Sequence, residues 1–172
     1  MDNELIVQYL TALGEGMSEC VSAWTVDDSD EMPILVLSAP APFDEEQELG
    51  YLISISRLNE NLFLFDLQIS VFINVSQELF SSVHSVLAAF NNAVTLGCFE
   101  LYEETSDVIF RSGVFVDPQM TIETATENII KTLAVMENAA VNGGAELQKL
   151  LKGEATADDL INAFYNMEGD SE

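Results

Sequence analysis

The pattern of hydrophobic and polar positions is clearest between residues 50 and 74. Apolar residues recur at every second position on both sides of a polar break at Asn59-Glu60-Asn61, from Tyr51 on one side to Ile73 on the other. A period of two residues is typical of antiparallel strands with one buried face and one solvated face. The segment therefore predicts two paired strands, with one apolar face and a second face that is polar in its middle.

Three further segments show strand patterns. Residues 20–26 and 33–39 are apolar runs separated by an acidic turn, and residues 99–117 alternate on both sides of a second acidic turn. The last segment predicts a β-hairpin. If Leu101 lies opposite Phe110, then Glu100 lies opposite Arg111 and forms a cross-strand ion pair, which stabilises by at most about 1 kcal/mol. This structural role favours a hairpin over a reaction site for these charged residues.

Apolar residues spaced three and four apart predict helices at residues 3–13, 76–92 and 121–141. Gly14 is expected to end the first helix, and Asn142-Gly143-Gly144 is expected to end the third. Ser76 and Thr121 are the expected N-caps of the second and third helices.

Two shorter helices are expected after residue 144. The first ends at Gly153, and the second begins at a capping box formed by Thr156 and Asp159. Leu160, Phe164 and Met167 would dock the second helix onto the body of the protein.

Together these elements predict an α+β fold in which helices pack on one face of a twisted antiparallel β-sheet, in the order α-β-β-β-β-α-β-β-α-α. The chain has 172 residues, of which 48% are hydrophobic. This length suits one domain with a substantial core, predicted for residues 1–167. Residues 168–172 are expected to form a disordered acidic tail.

Charge narrows the classes of partner. Thirty Asp and Glu residues against five Lys and Arg residues give a formal net charge of -25. Such a field repels phosphate backbones and anionic lipids, so nucleic-acid and membrane partners are not expected, whereas a basic protein would be attracted. The acidic N-terminus is unlike a signal peptide, no apolar run has the length of a membrane span, and Cys20 and Cys98 are far apart in sequence. These features favour a cytoplasmic protein.

The residues typical of catalysis and metal binding are sparse. His84 is the single histidine, and its place at the edge of a predicted apolar helix stripe favours a structural role. The acidic clusters at residues 27–31 and 44–48 lack the ligand order of a calcium loop and are expected to be solvated turns. No catalytic residue, cofactor or metal site is therefore predicted.

One part of the chain resembles a known family. The residues are AFNNAVTLGCFELYEETSDVIFRSGVFVD (89–117), followed by the helix TIETATENIIKTLAVME (121–137). They are similar to the C-terminal half of the YbjN-type domain, described as a bacterial sensory-transduction regulator with a fold related to type III secretion chaperones. The resemblance implies a homodimer that binds another protein without performing chemistry on it.

A possible contact surface lies on the polar side of the predicted strands. Its candidate partner-binding residues are Trp24, Tyr51, Ser54, Ser56, Asp66, Gln68 and Ser70. The polar residues form either a solvated sheet face or a groove or dimer seam that offers hydrogen bonds to an extended peptide. The two aromatic residues are possible anchors, because aromatic side chains dominate interface energetics, although burial in the core is the more common fate of a lone Trp.

These observations favour a non-enzymatic adaptor or regulator that binds a protein client as a homodimer. Two alternatives remain open. An acidic inhibitor, such as an immunity protein or antitoxin, would bind a basic partner through long-range attraction. A small-molecule sensor would need a deep pocket with convergent polar groups.

Overall fold

The computed structural model describes residues 3–29, 32–59 and 62–169, with the backbone alone for residues 167–169. Within these ranges the chain forms four α-helices, six strands and one short 3₁₀ helix. In chain order they are α1 (Asn3–Met17), β1 (Ala23–Asp27), β2 (Ile34–Pro40), β3 (Glu48–Asn59), β4 (Leu62–Phe72), the 3₁₀ helix (Gln77–Leu79), α2 (Phe80–Ala93), β5 (Cys98–Tyr102), β6 (Asp107–Val116), α3 (Ile122–Leu151) and α4 (Ala157–Gly169). The predicted turn at residues 60–61, the Met167 side chain and most of the predicted tail lie outside the described residues.

The six strands form one antiparallel sheet in the order β1-β2-β3-β4-β6-β5. The predicted α+β class is confirmed. Alternation on β3 and β4 also follows the prediction, since Tyr51 lies opposite Ile69 and both are buried. It ends one step early, because β4 stops at Phe72 and Ile73 is exposed instead of joining the apolar face.

Helices α1, α2 and α3 pack on one side of the sheet, which we call the covered face. The core lies between these layers and includes Phe65 and Phe110, which are fully buried. Tyr9 on α1 meets the Phe65 ring edge-on, with 5.6 Å between centroids. Each such buried apolar side chain contributes about 1.5–3 kcal/mol to folding. The opposite side of the sheet carries no helix of the described chain, and we call it the open face.

Two helices continue through glycines that the sequence predicts as helix ends. The predictions at Gly14 and at Gly143-Gly144 are wrong, because α1 and α3 each extend well beyond them. A Cβ atom on Gly14 would overlap the ring of Trp24, and one on Gly143 would overlap the ring of Phe99. These glycines therefore let aromatic rings touch the helix backbone. The short helix expected after residue 144 is the last part of α3. As predicted, this helix ends before Gly153, whose φ is +70°.

Two of the three predicted N-caps form the expected side-chain hydrogen bonds. The Thr124 amide donates to Thr121 Oγ1 at 3.2 Å, at the start of α3. Before α4, the Asp159 amide donates to Thr156 Oγ1 at 3.2 Å and the Thr156 amide donates to Asp159 Oδ2 at 3.0 Å, which is the reciprocal pattern of a capping box. Ser76 instead precedes the 3₁₀ helix, and its side chain forms no capping hydrogen bond.

Strand β5 forms one edge of the sheet, and there a side chain of α2 stands in for a neighbouring strand. Asn91 Oδ1 accepts from the Phe99 amide at 2.7 Å, and Asn91 Nδ2 donates to the Phe99 carbonyl at 2.9 Å. A side-chain amide offers the same donor and acceptor as a peptide group. The outward backbone groups of Phe99 are therefore satisfied within the molecule.

Candidate functional site

The open face gathers the polar residues that the sequence predicts as a contact surface. Ser54 and Ser56 on β3 alternate with buried residues, as do Asp66, Gln68 and Ser70 on β4, so all five lie on this face. Ser54 lies directly opposite Asp66 across the β3–β4 pair. The alternation alone places them together, which confirms that they share a face.

The inner strands β2, β3, β4 and β6 supply most of the open face. Its positions on these strands, in chain order, are Ile34, Val36, Ser38, Pro40, Glu48, Gly50, Leu52, Ser54, Ser56, Leu64, Asp66, Gln68, Ser70, Asp107, Ile109, Arg111, Gly113 and Phe115. Four of these residues are charged: Glu48 and Asp107 at strand ends, and Asp66 and Arg111 in the middle. The middle of the face is therefore poor in net charge, in contrast to the composition of the whole chain.

The two charged residues in the middle of the face form a two-pronged ion pair. Arg111 Nε donates to Asp66 Oδ1 at 2.9 Å, and Arg111 Nη2 donates to Asp66 Oδ2 at 2.8 Å. The Arg111 side chain is 41% exposed and that of Asp66 is 20% exposed. Gln68 Nε2 donates to the same carboxylate at 3.3 Å. The hydrogen bonds that Arg111 donates to Asp66 raise the pKa of its guanidinium above the ordinary value, so this group stays charged.

This geometry corrects the predicted Glu100–Arg111 pair. In the hairpin Leu101 lies opposite Val108, so Glu100 lies opposite Ile109 and Arg111 lies opposite Cys98. The strands pair two residues away from the predicted register because the turn is shorter than expected. Glu100 Oε1 instead accepts a hydrogen bond from Cys98 Sγ at 3.5 Å. Burial, followed by that hydrogen bond, raises the pKa of the Cys98 thiol.

The two predicted aromatic anchors are not on the open face. Tyr51 is 1% exposed and lies on the covered face, where burial and then the charge and hydrogen bond of Glu137 raise its pKa. Trp24 is half-buried on the same side, with its ring against Gly14. Core packing accounts for both rings, and Tyr51 has no ring surface left for a partner.

Apolar side chains that sequence reasoning did not select occupy the open face. Phe115 is 64% exposed, and Val36 is also exposed. Leu64 lies opposite Phe115 across the β4–β6 pair, and Leu52 lies opposite Val36 across the β2–β3 pair. Leu52 in turn lies opposite Gln68 across the β3–β4 pair, so the apolar side chains adjoin the hydrogen-bonding residues of the face. These apolar residues alternate with the buried residues of the same strands, and this alternation in the sequence could have identified them as part of the open face.

His84 lies away from the open face, and the acidic clusters reach only its margins, through Asp27 and Glu48. His84 Nε2 is 2.9 Å from Glu103 Oε1, and both side chains are exposed, beside a cleft of about 580 Å³ between α2 and β5. Asp27 Oδ1 accepts from the Ser29 amide in a local turn, and the rest of that cluster, residues 30–31, is outside the described part of the chain. Asp44 holds Gln148 and Lys152 near the end of α3, so the cluster at residues 44–48 anchors a loop.

Two features are absent from the residues that the structure describes. Among them, no group of three or more His, Cys, Asp or Glu side chains is placed to hold a metal ion. In the same residues, no helix combines the length and the apolar character that crossing a membrane requires.

In comparisons with known proteins, no family model matches this sequence, and no curated protein matches it either. The resemblance to YbjN-type domains therefore stays a prediction.

Proposed function

We propose that this chain is a non-enzymatic, cytoplasmic adaptor or regulator that binds a protein client as a homodimer, with the chaperone-like fold that its resemblance to YbjN-type domains implies. We propose further that the open face is the surface through which two copies meet. The observation that carries this is the low net charge in the middle of that face in a chain of net charge -25.

The charge argument begins with repulsion between identical copies. Each copy carries thirty acidic residues, so most approaches bring carboxylates of one copy against carboxylates of the other. In the middle of the open face Asp66 and Arg111 neutralise each other. Further carboxylates stand at its margins, Glu48 and Asp107 at the ends of β3 and β6, and Asp27 and Glu100 on β1 and β5. An approach through the middle of this face therefore meets less repulsion than one that opposes unpaired carboxylates. Depletion of charge is also the compositional mark of interface cores.

The side chains of the open face suit a self-complementary contact. A two-fold interface places the same patch on both copies, so Phe115 of one copy can pack near the apolar residues Val36 and Leu52 of the other. Ser54 and Gln68 supply hydrogen bonds around the central ion pair. Two sheet faces pack about 10 Å apart in such an arrangement, which is close enough for these side chains to interdigitate.

The test is the oligomeric state of the wild-type chain and of two matched variants, measured by sedimentation equilibrium. We expect the wild type to dimerise, Phe115→Asp to be monomeric and Tyr165→Asp to dimerise like the wild type. Tyr165 is an exposed aromatic residue on α4, away from the open face, so its variant adds the same charge. Urea denaturation of both variants checks that their folds are intact. A wild type that stays monomeric at about 100 µM, a concentration typical of weak association, or a dimeric Phe115→Asp, would contradict the proposal.

Salt separates this proposal from the acidic-inhibitor alternative. Screening relieves repulsion between like-charged copies, so self-association should strengthen as salt rises. Binding of a basic partner by long-range attraction should weaken over the same range. Self-association that weakens as salt rises would contradict the proposal that two copies meet through a surface of low net charge.

A further inference from the structure

A cavity of about 430 Å³ lies in the helix layer, bounded by α2, α3, α4 and the loop between α2 and β5. The rings of Phe90, Phe99 and Phe164 form its apolar wall. The Phe90 centroid is 6.0 Å from that of Phe99 and 5.9 Å from that of Phe164. Pockets of about 300–1,000 Å³ with mainly apolar walls are typical of small-molecule sites.

The space exists because α3 presents small residues to these rings. Gly143 and Ala139 line the cavity, and a Cβ atom on Gly143 would already overlap Phe99. Val135 stands at the rim of the cavity with much of its side chain exposed. A ligand in the cavity would cover this apolar surface.

The polar groups of the cavity favour a cation. Glu146 is the one charged residue among those that line it, and both of its carboxylate oxygens accept from the exposed Lys149 Nζ, at 2.7 and 2.8 Å. The rim therefore already holds an ammonium group of the chain itself, with which a ligand ammonium would share the carboxylate. Asn142 Nδ2 donates to Asn138 Oδ1 at 2.7 Å, which leaves the Asn142 carbonyl oxygen as an acceptor. An anionic ligand would also be repelled by the net charge of -25, whereas a cation would be drawn in.

We propose that this cavity binds a small organic amine with an aromatic or branched apolar body. The body packs against Phe90, Phe99 and Phe164, where an ammonium group near a ring face gains a further cation–π attraction. The ammonium group lies at the rim, facing Glu146 and the Asn142 carbonyl. The site is in the helix layer, on the side of the sheet opposite the open face, so it does not depend on self-association.

The first experiment compares three probes of similar shape and different charge: 2-phenylethylamine, 3-phenylpropionate and 2-phenylethanol. Each is titrated into the full chain at constant salt while backbone amide shifts are followed by NMR. We expect saturable shifts at Ala139 and Gly143 with the amine, and binding of the carboxylate that is weaker by about tenfold or more. Equal binding of the carboxylate, or shifts centred away from these residues, would overturn the proposal.

The second experiment tests the rim with matched variants. Glu146→Gln should lower the affinity for the amine by about threefold, the effect expected for an exposed charge pair, and leave the affinity for the alcohol unchanged. Glu127→Gln is the control, because Glu127 is also on α3 and also pairs with a lysine, Lys131 at 3.3 Å, but does not line the cavity. An equal loss in both variants would show that the amine responds only to the overall charge and would overturn the site.

Filling the cavity gives an independent check. Ala139→Leu should abolish binding of both the amine and the alcohol by occupying the space itself. A folded Ala139→Leu chain that binds the amine normally would refute the proposal. If this variant does not fold, the comparison of Glu146→Gln with Glu127→Gln still decides the question.

Discussion

Two phenylalanines on strand β6 show how different the two faces of the sheet are. Phe110 points to the covered face, is fully buried and stacks edge-on against Phe99 with 4.7 Å between ring centroids. Phe115 lies five residues further along the same strand, points to the open face and is 64% exposed. Successive residues of a strand face opposite sides, so two residues an odd number of positions apart lie on opposite faces of the sheet. Residue type alone therefore does not decide whether a ring stabilises the fold or remains available for a partner.

The largest expected effect comes from truncating these two rings. Phe110→Ala should lower the free energy of unfolding by about 3–5 kcal/mol, because it removes a fully buried ring and leaves a cavity. Phe115→Ala should change it by less than about 0.5 kcal/mol, as is usual for exposed positions. Urea denaturation of both variants measures the difference, at low protein concentration so that self-association does not contribute.

Comparable losses of unfolding free energy in the two variants would contradict the difference described between the two faces. They would mean that the open face is already covered in the folded monomer.

A smaller effect is expected from adding one methyl group to each side of the sheet. Gly143→Ala should destabilise by about 1–3 kcal/mol despite the higher helix propensity of alanine, because the new Cβ overlaps the Phe99 ring. Gly50→Ala on the open face should stay within about 0.5 kcal/mol, since its Cβ would meet Ser70 at an ordinary 3.6 Å. Thermal unfolding of the two variants is the measurement. A neutral Gly143→Ala would show that α3 can move away from the sheet at little cost.

The ion pair of the open face should contribute about 1 kcal/mol, measured as the coupling in a double-mutant cycle of Asp66→Asn and Arg111→Gln. Its two-pronged geometry and the low exposure of Asp66 favour a larger coupling than that of an exposed pair. The Glu127–Lys131 pair on α3 is the matched reference and should give about 0.3–0.5 kcal/mol. Equal couplings would mean that the open face is as solvated as a helix surface.

The smallest expected effect is a pH dependence that begins near pH 10. Burial raises the pKa of Tyr9 and of Tyr51 above the ordinary value of 10.0, so above that pH the unfolded chain releases these protons while the folded chain keeps them. The unfolded state then binds fewer protons, and the free energy of unfolding falls as pH rises. Tyr51→Phe should make this fall shallower, because it removes one of the two tyrosines whose pKa is raised by burial. Urea midpoints at several pH values between about 9 and 11 would show it.

Much of this architecture could be predicted because strand alternation is local. The parity of positions along β3 and β4 is sufficient to place Ser54 and Asp66 on one face and Tyr51 on the other, and the two strands, consecutive in the chain, pair with each other. Because parity assigns Tyr51 to the buried side, it argues against the anchor role predicted for this residue. The caps at Thr121 and Thr156 are local for the same reason, since each involves residues three positions apart.

The parts that could not be predicted depend on contacts between distant segments. Arg111 reaches Asp66, which is 45 positions away in sequence, because β6 lies beside β4 in the sheet, and nothing in the hairpin itself indicates that neighbour. Gly14 and Gly143 have the composition of helix ends, and only the rings of Trp24 and Phe99, supplied by strands, turn them into close contacts. A glycine in a helix can thus mark a close contact with a side chain of the neighbouring sheet as well as the end of the helix.

The amide of Asn91 has a consequence for assembly on a larger scale. Sheets polymerise into filaments when both of their lateral edges accept another strand. Here the backbone of Phe99 at the β5 edge is already occupied by Asn91, so a newcomer strand would first have to displace that side chain. The β5 edge is therefore a poorer template for an added strand at this position than a bare edge would be, so one side-chain amide makes lateral growth of the sheet less favourable.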